Sequence, residues 1–306
     1  MAIVALHVEA SSTIFEVTTN DISGIRSRVA ELRQSPEETA EWEKELVRGN
    51  HDAWIAVLLT YLSNLSFFRV KFATLIGKYI RDIVSRAATR EAPFTSILQE
   101  LEPLSAGSRL ADWIPFQAYE FLPFLQLPTM RDVELWWGLI DSDNPNGDAM
   151  AGLELGPGTL RITTIESFGN GRYGLMHLIA ACPNLESFRW EHIDTQAPGA
   201  SRRRFRPRAF HRSLSTQKQS LVELWLNEKV YIDASLDFEE DEEGEQESEL
   251  DPPDNWFGSL ADFVKLKELR MRVVNLLDFR SESFELNKAL KLILPGSLER
   301  LSLTEC

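Results

Sequence analysis

The chain has 306 residues, 43% of them hydrophobic and 26% charged, which is ample apolar material for a core and an ordinary charge content for a soluble protein. Its net charge of -15 argues against nucleic-acid binding driven by phosphate neutralisation, although ten acids sit in one run, Glu239 to Asp254, and leave -5 for the rest. Two cysteines, Cys182 and Cys306, exclude a disulfide framework and have no C-x-x-C partner; with no basic leader and no run of 18 apolar residues, an intracellular protein, cytoplasmic or nuclear and away from membranes, is expected.

The first residues already read as a strand, Ile3-x-x-Leu6-x-Val8. Ser35-Pro36-Glu37-Glu38 then combines an N-cap, a proline at the first helical position and a glutamate at the third, and predicts a helix to about Arg48 that stops at Gly49. A second helix is predicted from near Asp52, with Trp54, Val57, Leu58, Tyr61 and Leu62 on one face. It leads through Ser63-Asn64 into Leu65-x-x-Phe68-x-Val70. A degenerate copy of that phrase is available at Leu98-x-x-Leu101-x-Pro103, where the proline would cost a ladder hydrogen bond, and a clear one follows at Met130-x-x-Val133-x-Leu135.

Asp141 to Asp148 is turn chemistry, and Leu160-x-Ile162 predicts a short strand. The stretch Gly174 to Cys182 reads as a helix stopped by Pro183, after which Leu185-x-x-Phe188-x-Trp190 alternates as a strand does. The same phrase returns at Leu221-x-x-Leu224-x-Leu226, Leu266-x-x-Leu269-x-Met271 and Leu298-x-x-Leu301-x-Leu303. Strands recurring with helices between them make an α/β repeat array, and such an array is one long domain, here 1–306, with 239–254 as an acidic disordered insertion.

The C-P-N-L-x-S-F run at Cys182, the S-L-x-x-L-x-L phrases at Ser220 and Ser297, and Gly258-Ser-Leu-x-x-Phe-x-x-Leu-Lys-x-Leu269 resemble the leucine-rich repeats of filamentous-fungal F-box and F-box-like proteins, from about Asp52 on. The resemblance implies an α/β leucine-rich-repeat solenoid, with a curved parallel sheet on its concave face and helices on its convex face. It also implies a substrate-recognition role beside cullin-type ubiquitin-ligase subunits, recruited in that family by an N-terminal F-box with an L-P-x-E phrase. No such phrase occurs in this sequence.

Several motifs invite catalytic readings. Gly169-x-Gly171-x-x-Gly174 follows a predicted strand, opens a helix and has Asp194 twenty residues on, which are the parts of a dinucleotide site and the basis of an alternative reading as an oxidoreductase. The strands argue against it, because Arg161 and Arg189 interrupt what a doubly wound sheet would keep continuously apolar. Asp141, Asp143 and Asp148 have Pro145 and Asn146 where a calcium loop needs an acid or amide and a glycine. The five histidines lack metal spacing, and Cys182 reads as buried packing. No catalytic, cofactor or metal residues are expected. Arg202 to Arg208 is an arginine cluster suited to an import signal or an anionic partner, or else a solvated loop.

In each L-x-x-L-x-L phrase the leucines face the core, so the residue between the last two faces outward. That position holds His7, Arg69, Glu134, Arg161, Arg189, Trp225, Arg270 and Ser302, flanked by Trp136, Glu191, Glu223, Asn227 and Arg272. Arginine and tryptophan dominate binding hot spots, and a solenoid binds through its concave face, so Arg69, Glu134, Trp136, Arg161, Arg189, Trp225, Arg270 and Arg272 are the expected surface for a partner protein. A structural scaffold without a single partner is the other non-catalytic alternative.

Overall fold

The computed structural model describes residues 4–9, 25–32, 35–72, 77–108, 116–140, 161–167, 175–182, 184–194, 205–230, 255–279 and 286–304. The glycine loop at 169–174, the aspartates at 141–148, Arg202 to Arg204, the acidic run 239–254 and Cys306 lie outside them.

The protein is α/β. Its strands are β1 (Val4–Glu9), β2 (Leu65–Phe72), β3 (Pro103–Ser108), β4 (Phe116–Gln117), β5 (Asp132–Ile140), β6 (Arg161–Ser167), β7 (Ser187–Asp194), β8 (Glu223–Val230), β9 (Glu268–Arg272) and β10 (Arg300–Thr304). They form one sheet in sequence order, with β4 set off the path beside β5, and every pairing is parallel. Parallel neighbours need crossovers. These carry α1 (Arg26–Leu32), α2 (Pro36–Val47) and α3 (His51–Tyr61) before β2, then α4 (Lys78–Ala88), α5 (Leu122–Leu125), α6 (Met176–Ala180) and α7 (Pro207–Leu214). The last two helices, α8 (Val273–Leu276) and α9 (Leu286–Ile293), lie between β9 and β10.

The repeat is written in the backbone as well as in the side chains. The residue after the first phrase leucine offers its carbonyl to the next unit: Glu102 to the N–H groups of Arg131 and Asp132, Glu186 to Val222 and Glu223, Val222 to Lys267 and Glu268, and Lys267 to Glu299 and Arg300. Each of these bonds is 2.7–3.3 Å long. Each unit also enters its strand through a tight turn, Leu65 N–H to Leu62, Met130 to Leu127, Leu266 to Phe263 and Leu298 to Pro295. At Leu185 the buried Gln217 side chain does this work from the next unit: its Oε1 accepts the Leu185 N–H at 3.2 Å while its Nε2 donates to the Ile179 carbonyl.

This ladder corrects the predicted register of the degenerate copy. Glu102 N–H bonds to Ser66 and Leu101 N–H to Leu98, so the phrase is Leu101-x-x-Leu104-x-Ala106, all three buried, and Leu98 belongs to the turn with a φ of 56°. Pro103 thus opens β3, where a missing N–H is tolerated.

The phrase residues and the helices share one contiguous core that runs from Val29 to Ile293. Phe68 of β2 stacks on Phe124 of α5 at 6.1 Å, and Trp190 of β7 meets Phe210 of α7 edge-on at 4.9 Å. Cys182 is fully buried, its Sγ at 3.5 Å from the Leu178 carbonyl. The arginine cluster divides at Phe205, which stacks on Trp190 at 4.6 Å, while Arg208 lies over Trp256 at 5.3 Å. Phe205 and Pro207 thus tie that half of the cluster to the fold, while Arg208 itself is exposed.

The predicted helix from Pro36 is α2, with Ser35 Oγ accepting the Glu38 N–H at 3.1 Å and Gly49 at φ 72° past its end. In α3 the expected face is only partly the buried one. Ala53, Ile55, Ala56, Val57, Leu59 and Thr60 are buried, whereas Leu58 and Tyr61 are 44% and 50% exposed. The helix is packed between α2 and α4 as well as against the core, so its buried arc is wider than one stripe and points elsewhere. Asp52 in its first turn also caps the neighbouring α4: its carboxylate accepts the Tyr79 and Ile80 N–H groups at 2.7 and 3.0 Å, where Gly77 offers no side-chain cap. Among the described residues no helix is long and apolar enough to cross a membrane.

Candidate functional site

The phrase leucines turn inward, so the intervening residues line the opposite face of the sheet, and the strand register shows how they meet. The central row runs His7, Arg69, Ser105, Glu134 and Thr164, and on the other side of an irregularity Arg189, Trp225, Arg270 and Ser302. Five of the predicted residues, Arg69, Glu134, Arg189, Trp225 and Arg270, stand in this row. Arg161 does not. Its backbone is opposite Asp132 and Ser187, in the row of Glu223, Glu268 and Arg300, because Ile162 pairs with Val133 and Phe188 and so takes the second phrase position, which the sequence reading gave to Leu160. Trp136 pairs through its backbone with Gly107, and Arg272 with Thr304, one row further on. The side chains of His7, Trp136, Arg161 and Thr164 are outside the described ones.

Over the N-terminal half, the row holds Arg69 and the paired Ser105 and Glu134. Arg69 is exposed, and Ser105, nearly buried between neighbours, donates its hydroxyl to Glu134 Oε2 at 2.6 Å. Over β7 to β10 it is closely assembled. Glu223 Oε1 accepts from both Nε and Nη2 of Arg189, at 3.0 and 2.7 Å, and its Oε2 accepts from Ser187 Oγ at 2.8 Å. That anchors the Arg189 guanidinium over the indole of Trp225, 4.0 Å from the ring centroid. Arg270, on the next strand, approaches the same indole at 5.4 Å. One row before, Glu268 is ion-paired with Arg300.

A tryptophan flanked by two guanidiniums is held in one orientation at little further entropic cost, and each cation–π contact contributes about 0.5–1 kcal/mol at such partly exposed positions. The Glu223 carboxylate is what makes the arrangement asymmetric: Arg189 is spent on it, whereas among the described residues Arg270 has no carboxylate partner. Sequence reasoning placed the arginines and the tryptophan but not the roles of Glu223, Ser187 and Ser105. The two serines carry no signal of their own, and Ser105 came into the row only with the corrected register of β3. Among the described residues, no group of three or more His, Cys, Asp or Glu side chains is arranged to hold a metal ion.

Comparison with protein-family models, with curated proteins and with solved structures gave no match.

Proposed function

We propose that this chain is a leucine-rich-repeat solenoid of the F-box-like class that works by binding a partner protein, without catalysis, on the outward strand face. In such a solenoid this face is the concave one and the helices form the convex side. The recurring phrase, the carbonyl that bridges each unit to the next and the strictly sequential parallel strand order support the repeat reading. The observation that carries the binding reading is the Arg189–Trp225–Arg270 assembly, an oriented aromatic between two guanidiniums on a sheet face, with one of the two charges left for a partner. Substrate selection for a ubiquitin ligase is the role proposed for that face, on the resemblance of the repeats.

Affinity capture from cells with the full chain tests this, comparing wild type with the double variant Trp225→Ala, Arg270→Glu after confirming that both fold. The expected result is loss of a discrete set of partners, with cullin-type ligase subunits retained by both forms. An identical partner list would refute binding at this face, and absence of ligase subunits from both lists would refute the ligase role.

A further inference from the structure

We infer that the β8–β9 portion of the outward face receives a single side-chain carboxylate, an Asp or Glu of the partner protein, at Arg270 beside the edge of Trp225; this rests on the reading of that face as a binding surface. Among the described residues the Arg270 guanidinium, the Trp225 indole N–H, the Asn227 amide and the Ser302 hydroxyl make no hydrogen bond or ion pair. The register sets them side by side: Trp225 opposite Arg270, and Arg270 opposite Ser302, with Asn227 two residues beyond Trp225 on the same face of β8. Arg270, Trp225 and Ser302 thus share one row, with Asn227 one row on beside Glu191, and the acceptors of the row before are already taken. Glu223 is held by Arg189 and Ser187, and Glu268 by Arg300.

Charge fixes the class of ligand. Arg270 is one uncompensated positive charge, Arg272 two residues on is already engaged, and three carboxylates stand one row away, Glu223 and Glu268 before it and Glu191 after it. A phosphate carries up to two charges and is bound by clusters of arginine. Here a dianion would meet one free guanidinium and the repulsion of Glu223 and Glu268. A monoanionic carboxylate matches the single charge, is bidentate in the same plane as a guanidinium, and leaves its second lone pairs for the indole and amide N–H groups. The chain as a whole is at -15, so an extended acidic partner is repelled at long range and only a local acid in an otherwise uncharged segment fits.

The test is selection of a random dodecapeptide phage library on the full chain, with parallel selections on Trp225→Ala and on two variants of the charge, Arg270→Glu and the milder Arg270→Gln. Peptides enriched on wild type and lost on the variants are expected to be several-fold richer in Asp and Glu than the input. A synthetic copy with those acids changed to Asn or Gln is expected to bind about ten-fold more weakly, as loss of a charged hydrogen-bonded pair implies. Peptides that depend on Trp225 but show no acidic enrichment, bind equally as amides, or bind ten-fold tighter when the acid is replaced by phosphoserine would overturn the carboxylate inference while leaving the face as a binding surface. If no enriched peptide depends on Trp225 or Arg270, both readings fall.

Discussion

Replacing Asp52 by alanine removes a cap that one helix supplies to its neighbour. The carboxylate sits in the first turn of α3 and accepts the Tyr79 and Ile80 N–H groups of α4 at 2.7 and 3.0 Å. Hydrogen bonds to a charged acceptor contribute about 1.5–3 kcal/mol each, and the burial of the carboxylate offsets part of that, so the net loss is expected to be about 2–4 kcal/mol. On a chain of this size that is a fall in Tm of roughly 4–10 °C. Gly77→Ala attacks the same contact from the other side, because a Cβ there would lie 2.2 Å from the Asp52 Cγ and Oδ2 and push the carboxylate off its donors. The two variants together should therefore cost less than the sum of the two alone.

The same group has a pH signature. Burial, opposed by the Ile80 and Tyr79 N–H groups, raises the Asp52 carboxyl above its ordinary 3.8, so the folded chain holds this proton more tightly than the unfolded chain. The contribution is complete below 3.8 and is lost as pH rises through the raised folded value. Asp52→Asn has no such decline, so the advantage of wild type over it should shrink between about pH 3.5 and neutrality. Thermal and urea melts of the five proteins, wild type, the three single variants and the double variant, at several pH values make the measurement. Costs within about 0.5 kcal/mol of wild type for both Asp52→Ala and Gly77→Ala, or strict additivity, would refute the cap.

Trp190→Ala should destabilise by about 3–5 kcal/mol, and Phe205→Ala, next to the arginine cluster, by about 2–4 kcal/mol, since Phe205 stacks on a fully buried ring; urea midpoints check both, and a neutral Phe205→Ala would return that segment to the surface. Gly258→Ala should cost more than about 1 kcal/mol, because Gly258 has a φ of 128° and an added Cβ would lie 2.8 Å from the His211 ring; an unchanged Tm would contradict the packing. Burial holds His211 below its ordinary 6.5, so the stability it contributes is present above 6.5 and is lost as pH falls through that value toward the lower folded one. His211→Gln should flatten the stability profile between about pH 7.5 and 5.5, read from urea midpoints, and an unflattened profile would place the slope elsewhere.

Where a signal is local, the sequence carried it. Ser35, Pro36 and Gly49 bracket α2, and the phrases at 65, 130, 185, 221 and 266 mark strands whose phrase residues are all buried, whereas in the last unit Leu298 is half-buried and Leu301 and Leu303 are exposed. Where the answer depends on a neighbour, it did not. Leu98, Leu101 and Leu104 are all buried and equally plausible as the first phrase residue; only the hydrogen bond from Glu102 to Ser66 decides among them, and Leu98 adopts a backbone conformation that leucine rarely takes. Arg161 left the central row because Ile162, two residues after Leu160, is the residue opposite Val133 and Phe188, and a period of two puts both on one face and cannot tell those two positions apart. Leu58 and Tyr61 looked like core, yet α3 has neighbours on several sides and spends smaller residues against them. The glutamate that orients Arg189 is separated from it by 34 residues and becomes visible only once β7 and β8 are in register.

The most direct test of the account is site-specific photo-crosslinking of the full chain in cells, with a benzophenone side chain placed in turn at Asn227 and Ser302 on the outward strand face and at Leu58 and Val264, exposed positions away from the outward row. A common partner protein crosslinked from 227 and 302, and not from 58 and 264, is the predicted result. Crosslinks to a partner from 58 or 264 alone, with the strand face silent, would contradict it.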